Sequence, residues 1–72
     1  MNREGFMIEE IAKEMVLLLM EEHHVDMREA FRLLYTSDTY SRLIDLKSGL
    51  YVQSTAYVYE YLEKELATGK LA

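Results

Sequence analysis

Met15-Val16-Leu17-Leu18-Leu19-Met20 is the stretch on which the fold turns. Six apolar residues in a row leave a helix no polar face, so this turn and a half needs cover from several sides. Upstream, Phe6, Ile8, Ile11, Ala12 and Met15 continue the apolar seam at helical spacing, with Glu9, Glu10, Lys13 and Glu14 outside it. The spacing predicts a helix starting at Gly5 or Phe6 and ending at Glu22, amphipathic at first and nearly all-round apolar at its end. Glu9 and Glu10 near its start favour the helix dipole. Such a helix would be the central buried rod of a small all-α domain.

Downstream, His23-His24-Val25 reads as a short connection. Asp26-Met27-Arg28-Glu29 has capping-box spacing, with an acceptor at the cap and Glu29 placed to reach back. Val25 and Ala30 are spaced as a small hydrophobic staple around that cap. A second helix over Met27–Tyr35 would turn Met27, Ala30, Phe31 and Leu34 inward, with Tyr35 at the edge of that face. Thr36-Ser37-Asp38-Thr39 is a run of cap-type residues that starts a third helix, with Ser37 or Asp38 as the cap. This helix would cover residues 39–46 and present Tyr40, Leu43, Ile44 and Leu46 to the core. Gly49 suits the left-handed position after it.

Residues 50–53, Leu-Tyr-Val-Gln, are strand-like but have no partner strand and read as an extended connector. Ser54 then caps a fourth helix over residues 55–67, closed by Gly69. Val58, Leu62 and Leu66 form its apolar stripe, with Tyr51, Tyr59 or Tyr61 beside it, and Glu60, Glu63, Lys64 and Glu65 solvated. Lys70-Leu71-Ala72 is expected to fray. The absence of proline and the presence of only three glycines support four helices in a single domain spanning residues 1–72.

A chain of 72 residues buries only about 60 % of the surface that its unfolded form exposes. Half of its residues are apolar, six are tyrosine, and no cysteine is present to staple a small core. Apolar content this high in so short a chain points to burial against another chain, and self-association is expected. Thirteen acidic residues against eight basic ones give a net charge of −5. That balance disfavours nucleic acid, whose non-specific binding rests on Lys and Arg at phosphates, and it disfavours anionic membranes. Acidic residues interrupt the apolar runs, so neither a secretory signal nor a membrane span is read, and a cytoplasmic protein is expected.

Candidate chemistry is sparse. His23 and His24, flanked by Glu21, Glu22 and Asp26, are the one cluster with metal-ligand residue types. Adjacent histidines diverge on a helix, whereas helical metal pairs sit three or four residues apart. A polar helix end explains them better. Ser37 and Asp38 with a histidine could be drawn as a hydrolase triad, but no strained nucleophile turn or neighbouring glycine supports it, and capping accounts for both residues. No catalytic residue, metal or cofactor is expected. The second and third helices could form a helix-turn-helix-like DNA reader over residues 27–46, with Arg28, Arg32, Arg42 and Lys47 at phosphates. Over residues 26–48 these four are matched by Asp26, Glu29, Asp38 and Asp45, so DNA is the alternative and not the leading reading.

Tyr35, Tyr40, Tyr51, Tyr57, Tyr59 and Tyr61 are too many for one small core. Helical spacing puts Tyr57 and Tyr61 on one face and Tyr59 on another. Tyrosine gives a large rigid contact area with a polar tip and is enriched in interfaces. The expected partner-contact residues are Tyr40, Arg42, Tyr51, Tyr57 and Tyr61, around the connection between the third and fourth helices.

The segment from Asp26 to Leu62 carries Ala30-Phe31-x-x-Leu34-Tyr35-Thr36-Ser37-x-Thr39-Tyr40 and then Gly49-Leu50-Tyr51-x-Gln53-Ser54-x-x-Tyr57-x-Tyr59. It resembles a group of small all-helical bacterial proteins of unknown function, some of them encoded beside ADP-ribosyltransferase-like toxin genes. The resemblance implies an accessory or antitoxin-like binding role and carries over no catalytic residue. The expected function is therefore a small protein-interaction module that binds a protein partner or itself.

Overall fold

A computed structural model describes residues 2–69, which fold into four α-helices and two single-turn 3-10 helices. The α-helices are α1 (Arg3–His23), α2 (Met27–Tyr35), α3 (Asp38–Ile44) and α4 (Thr55–Thr68), and the 3-10 turns cover Leu46–Ser48 and Leu50–Val52. The chain is an all-α four-helix domain measuring 32 × 26 × 18 Å.

Asn2 starts α1 by accepting a hydrogen bond from the Gly5 amide at 2.6 Å. Ile11, Ala12, Met15, Val16 and Leu19 form its buried stripe, and α2, α4 and the second 3-10 turn pack along it. The rod is not covered all round: Leu17 is 58 % exposed, and Leu18 and Met20 are half-buried. A 72-residue chain has too few elements to close the fourth side.

At the start of α2, Asp26 caps as its spacing predicts, accepting from the Glu29 amide at 2.8 Å. The reciprocal half of the capping box is absent, because the Glu29 carboxylate turns forward to the Arg32 guanidinium, with Nε 2.8 Å from Oε1. That hydrogen bond first, and the Arg32 charge with it, holds the Glu29 carboxyl below its ordinary pKa. Ala30 and Leu34 are buried, but Met27 and Tyr35 lie outside the core. A helix of nine residues presents only about two turns to α1, and its ends overhang the contact.

Ser37, not Asp38, caps α3, and this helix stops at Ile44. Asp45 leaves helical geometry and turns its carboxylate to the Lys47 amide, so the residues beyond form a separate 3-10 turn. Ile44 and Leu46 are consequently exposed, contrary to the sequence reading, while Leu43 is fully buried. Residues 50–53 are not extended. Gly49, at φ 75°, reverses the chain, and a Cβ there would meet nothing within 4 Å, so backbone freedom and not space explains the glycine. With no partner strand, the segment satisfies its own backbone through Gln53 N to Leu50 O at 3.0 Å, and Leu50 drops into the core.

Ser54 caps α4 through the Tyr57 amide, and Gly69 closes it at φ 83°. Val58, Tyr59 and Leu62 are its buried residues. Thr55 donates to Glu14, Tyr59 to Glu22 at 3.3 Å, and Glu63 pairs with His23 at 2.9 Å. The partners rise in the same order along both helices, so α4 runs in the same general sense as α1. The expected fraying of Lys70, Leu71 and Ala72 lies outside the described residues.

Candidate functional site

The five residues expected to contact a partner do not gather on one surface. Tyr57 and Tyr61 meet on α4 as spacing requires, with ring centroids 5.5 Å apart, an interplanar angle of 63° and hydroxyls at 3.4 Å. The hydroxyl contact, followed by the neighbouring Tyr61 charge, raises the Tyr57 phenol above its usual pKa. Tyr57 is exposed and Tyr61 half-buried. Tyr51, on the second 3-10 turn, is half-buried against the first turns of α1, where it shares a shallow hollow with Arg3 and Met7.

Tyr40 faces a different neighbourhood. Its ring lies 4.9 Å from that of Tyr35, which lies 5.3 Å from Phe31, and these three rings border a hollow of about 360 Å³ opposite Ile8 and Ala12 of α1. Burial, and then the charges of Tyr35 and Glu9, raise the Tyr40 phenol. Arg42 is exposed on α3 and makes no ion pair among the described residues, while its carbonyl accepts from the Asp45 amide at 3.2 Å.

A second hollow, of about 410 Å³, lies between α1 and the start of α4. Leu17, Leu18 and Ala56 make its apolar floor, and Glu14 and Glu21 stand at its edge. It is the uncovered side of the apolar hexad. The hexad was legible in the sequence; which of its sides remains open depends on where α4 is laid down.

The buried tyrosine of α4 is Tyr59, whose pKa is driven up by burial and then by the charges of Glu63 and Glu22. Histidine and hydroxyl candidates for chemistry occupy structural positions. His23 Nε2 is 2.9 Å from the Glu63 carboxylate, and His24 occupies the left-handed position that ends α1, at φ 55°. Ser37 Oγ donates to the Leu34 carbonyl at 2.6 Å and accepts from the Tyr40 amide at 2.9 Å.

Sequence reasoning missed Glu65. Its carboxylate accepts from the Asp38 amide at 2.8 Å, the Thr39 amide at 2.9 Å and the Thr39 hydroxyl at 2.9 Å. Partial burial would raise its pKa, but these hydrogen bonds outweigh burial and hold it below the ordinary value. A glutamate at this position of an amphipathic helix carries no local signal of that role.

No family model, curated protein or solved structure matches the chain. Among the described residues, no helix is long and apolar enough to cross a membrane.

Proposed function

We propose that this chain is a small protein-interaction module that associates with a second copy of itself or with another protein. The antitoxin-like role implied by the sequence resemblance is the biological form this binding would take. The observation that carries the reading is the open α1–α4 groove, where Leu17 stands 58 % exposed beside Leu18 and Ala56. Single exposed hydrophobics are ordinary on a small protein, whereas a contiguous apolar strip between two helices favours a partner. The exposed Tyr57, paired with Tyr61, adds a rigid aromatic contact of the kind that anchors interfaces.

Sedimentation equilibrium over a wide range of protein concentration tests the self-association arm. Two copies each carrying −5 repel, so association should strengthen as salt screens that charge. Leu17→Asp and the double variant Tyr57→Ala/Tyr61→Ala should each weaken it while circular dichroism retains the helices. In a parallel titration, duplex DNA binding at low salt that fades with added salt would support the alternative reading through Arg28, Arg32, Arg42 and Lys47. A chain that stays monomeric at millimolar concentration and retains no protein from its native lysate would refute the module.

A further inference from the structure

The aromatic hollow between α1 and α2 has a composition different from the apolar α1–α4 groove. Phe31 and Tyr35 project from successive turns of α2, and Tyr40 joins them from α3. Neighbouring rings are inclined at 42° and 56°, so they do not cover one another face to face. Tyr35, at the middle of the row, is 51 % exposed. The opposite wall is aliphatic, from Ile8 and the buried Ala12.

Two charged residues complete the lining, and they are not equivalent. Lys13 directs its ammonium to Glu10 at 3.8 Å. Glu9 makes no ion pair among the described residues, and its charge acts on the Tyr40 phenol. The hollow thus combines three aromatic rings, an aliphatic wall and a carboxylate, Glu9, that is outside any ion pair among the described residues. Aromatic faces attract cations through the ring quadrupole, and a nearby carboxylate adds direct charge attraction. An anion would meet Glu9 and a chain of net charge −5, whereas a cation is attracted by both. A volume of about 360 Å³ holds a small head group, within the size range of ordinary ligand sites.

We infer that this hollow is a binding site for an organic ammonium cation, preferably methylated, seated on Phe31, Tyr35 and Tyr40 with Glu9 as its counter-charge. Methyl groups spread the charge, reduce the cost of stripping water and pack against Ile8 and Ala12, which a bare ammonium does not do. A free quaternary amine and a trimethyl-lysine side chain present the same head group. This site is separate from the α1–α4 groove and does not depend on self-association.

The test is an NMR titration of the full chain with tetramethylammonium chloride, against sodium chloride at matched ionic strength. Saturable shifts are expected at the ring signals of Phe31, Tyr35 and Tyr40 and at the Ile8 and Ala12 methyls, with a Kd of about 1–10 mM. Tyr35→Ala and Glu9→Gln, both at exposed positions, should each weaken binding by about three- to tenfold. Lys13→Gln removes a competing positive charge and should strengthen it by about two- to threefold. The last effect separates a cation site from a merely structural aromatic cluster. A short peptide bearing one trimethyl-lysine, compared with its unmodified form, distinguishes the sources. Tighter binding than tetramethylammonium assigns the site to a protein side chain, and equal binding assigns it to a free head group. Absence of saturation up to about 100 mM tetramethylammonium, equal binding of neutral neopentyl alcohol, or indifference to both Tyr35→Ala and Glu9→Gln overturns the inference.

Discussion

Between α1 and α2 the chain turns through His24 and Val25 near the surface; between α2 and α3 it turns through Thr36 and Ser37, with Ser37 only 5 % exposed. The first connection uses residues that lie next to one another in sequence. His24 takes the left-handed position and Asp26 caps the following helix. The second is held from outside as well. Ser37 bridges the Leu34 carbonyl and the Tyr40 amide, and Glu65, 27 residues beyond Asp38, covers the next two amides of α3. A short helix of seven residues has little stability of its own, and a long-range carboxylate supplies what its length does not. An exposed turn can be settled by local chemistry, whereas a buried one must find partners for every polar group it carries inward.

Breaking the long-range lock should have the largest effect. Glu65→Ala removes a charged acceptor from two amides and a buried hydroxyl, at a cost of about 2 kcal/mol after allowance for partial hydration of the carboxylate. Urea unfolding followed by circular dichroism measures it. The same lock has an acid signature. The folded pKa of Glu65 lies below its ordinary 4.5, so its stabilisation is complete above that value and is lost as pH falls through the lowered folded value. Stability profiles of the parent and Glu65→Gln should therefore converge on acidification, and parallel profiles would assign the acid loss to other carboxylates.

Ser37→Ala removes the local cap of the same junction and should cost about 1–2 kcal/mol. Because Ser37 and Glu65 serve adjacent amides of one turn, the double variant should depart from additivity, which a double-mutant cycle would read directly. At the exposed junction, Asp26→Ala should cost about 1 kcal/mol and show no coupling to Glu65. The smallest effect has the opposite sign. His24→Gly relieves a side chain at φ 55° and should raise stability by about 0.5–1 kcal/mol in the same urea unfolding measurement.

The helices of this protein were legible wherever a cap and an apolar stripe sat together. Asp26 with Ala30 and Leu34 marked α2, and Ser54 with Val58 and Leu62, closed by Gly69, marked α4. Gly49 marked the reversal in the same way, because a left-handed backbone is a property of the residue that occupies it. Sequence alone thus determined the four α-helices, their all-α class and the Asp26, Ser54 and Gly69 caps, all of which depend on interactions within about one helical turn. It left the α3 cap open between Ser37 and Asp38 and missed Asn2 at the start of α1. Among the tyrosines, it also determined that Tyr57 and Tyr61 would meet.

Only the tertiary structure decided which apolar residues were covered. Leu17, Ile44 and Leu46 are as hydrophobic as their buried neighbours, yet each is left about half exposed where the helices come to rest. It decided that residues 50–52 wind into a 3-10 turn and do not extend, since Leu50 had a core to enter and no strand to pair with. It turned Glu65 from a solvated charge into the cap of a helix elsewhere in the chain, and it gathered Phe31, Tyr35 and Tyr40 opposite Ile8 and Ala12. The reason is common to all four. Caps and stripes are set by neighbours three or four residues away, while cover, cavities and long-range hydrogen bonds depend on where the helices cross.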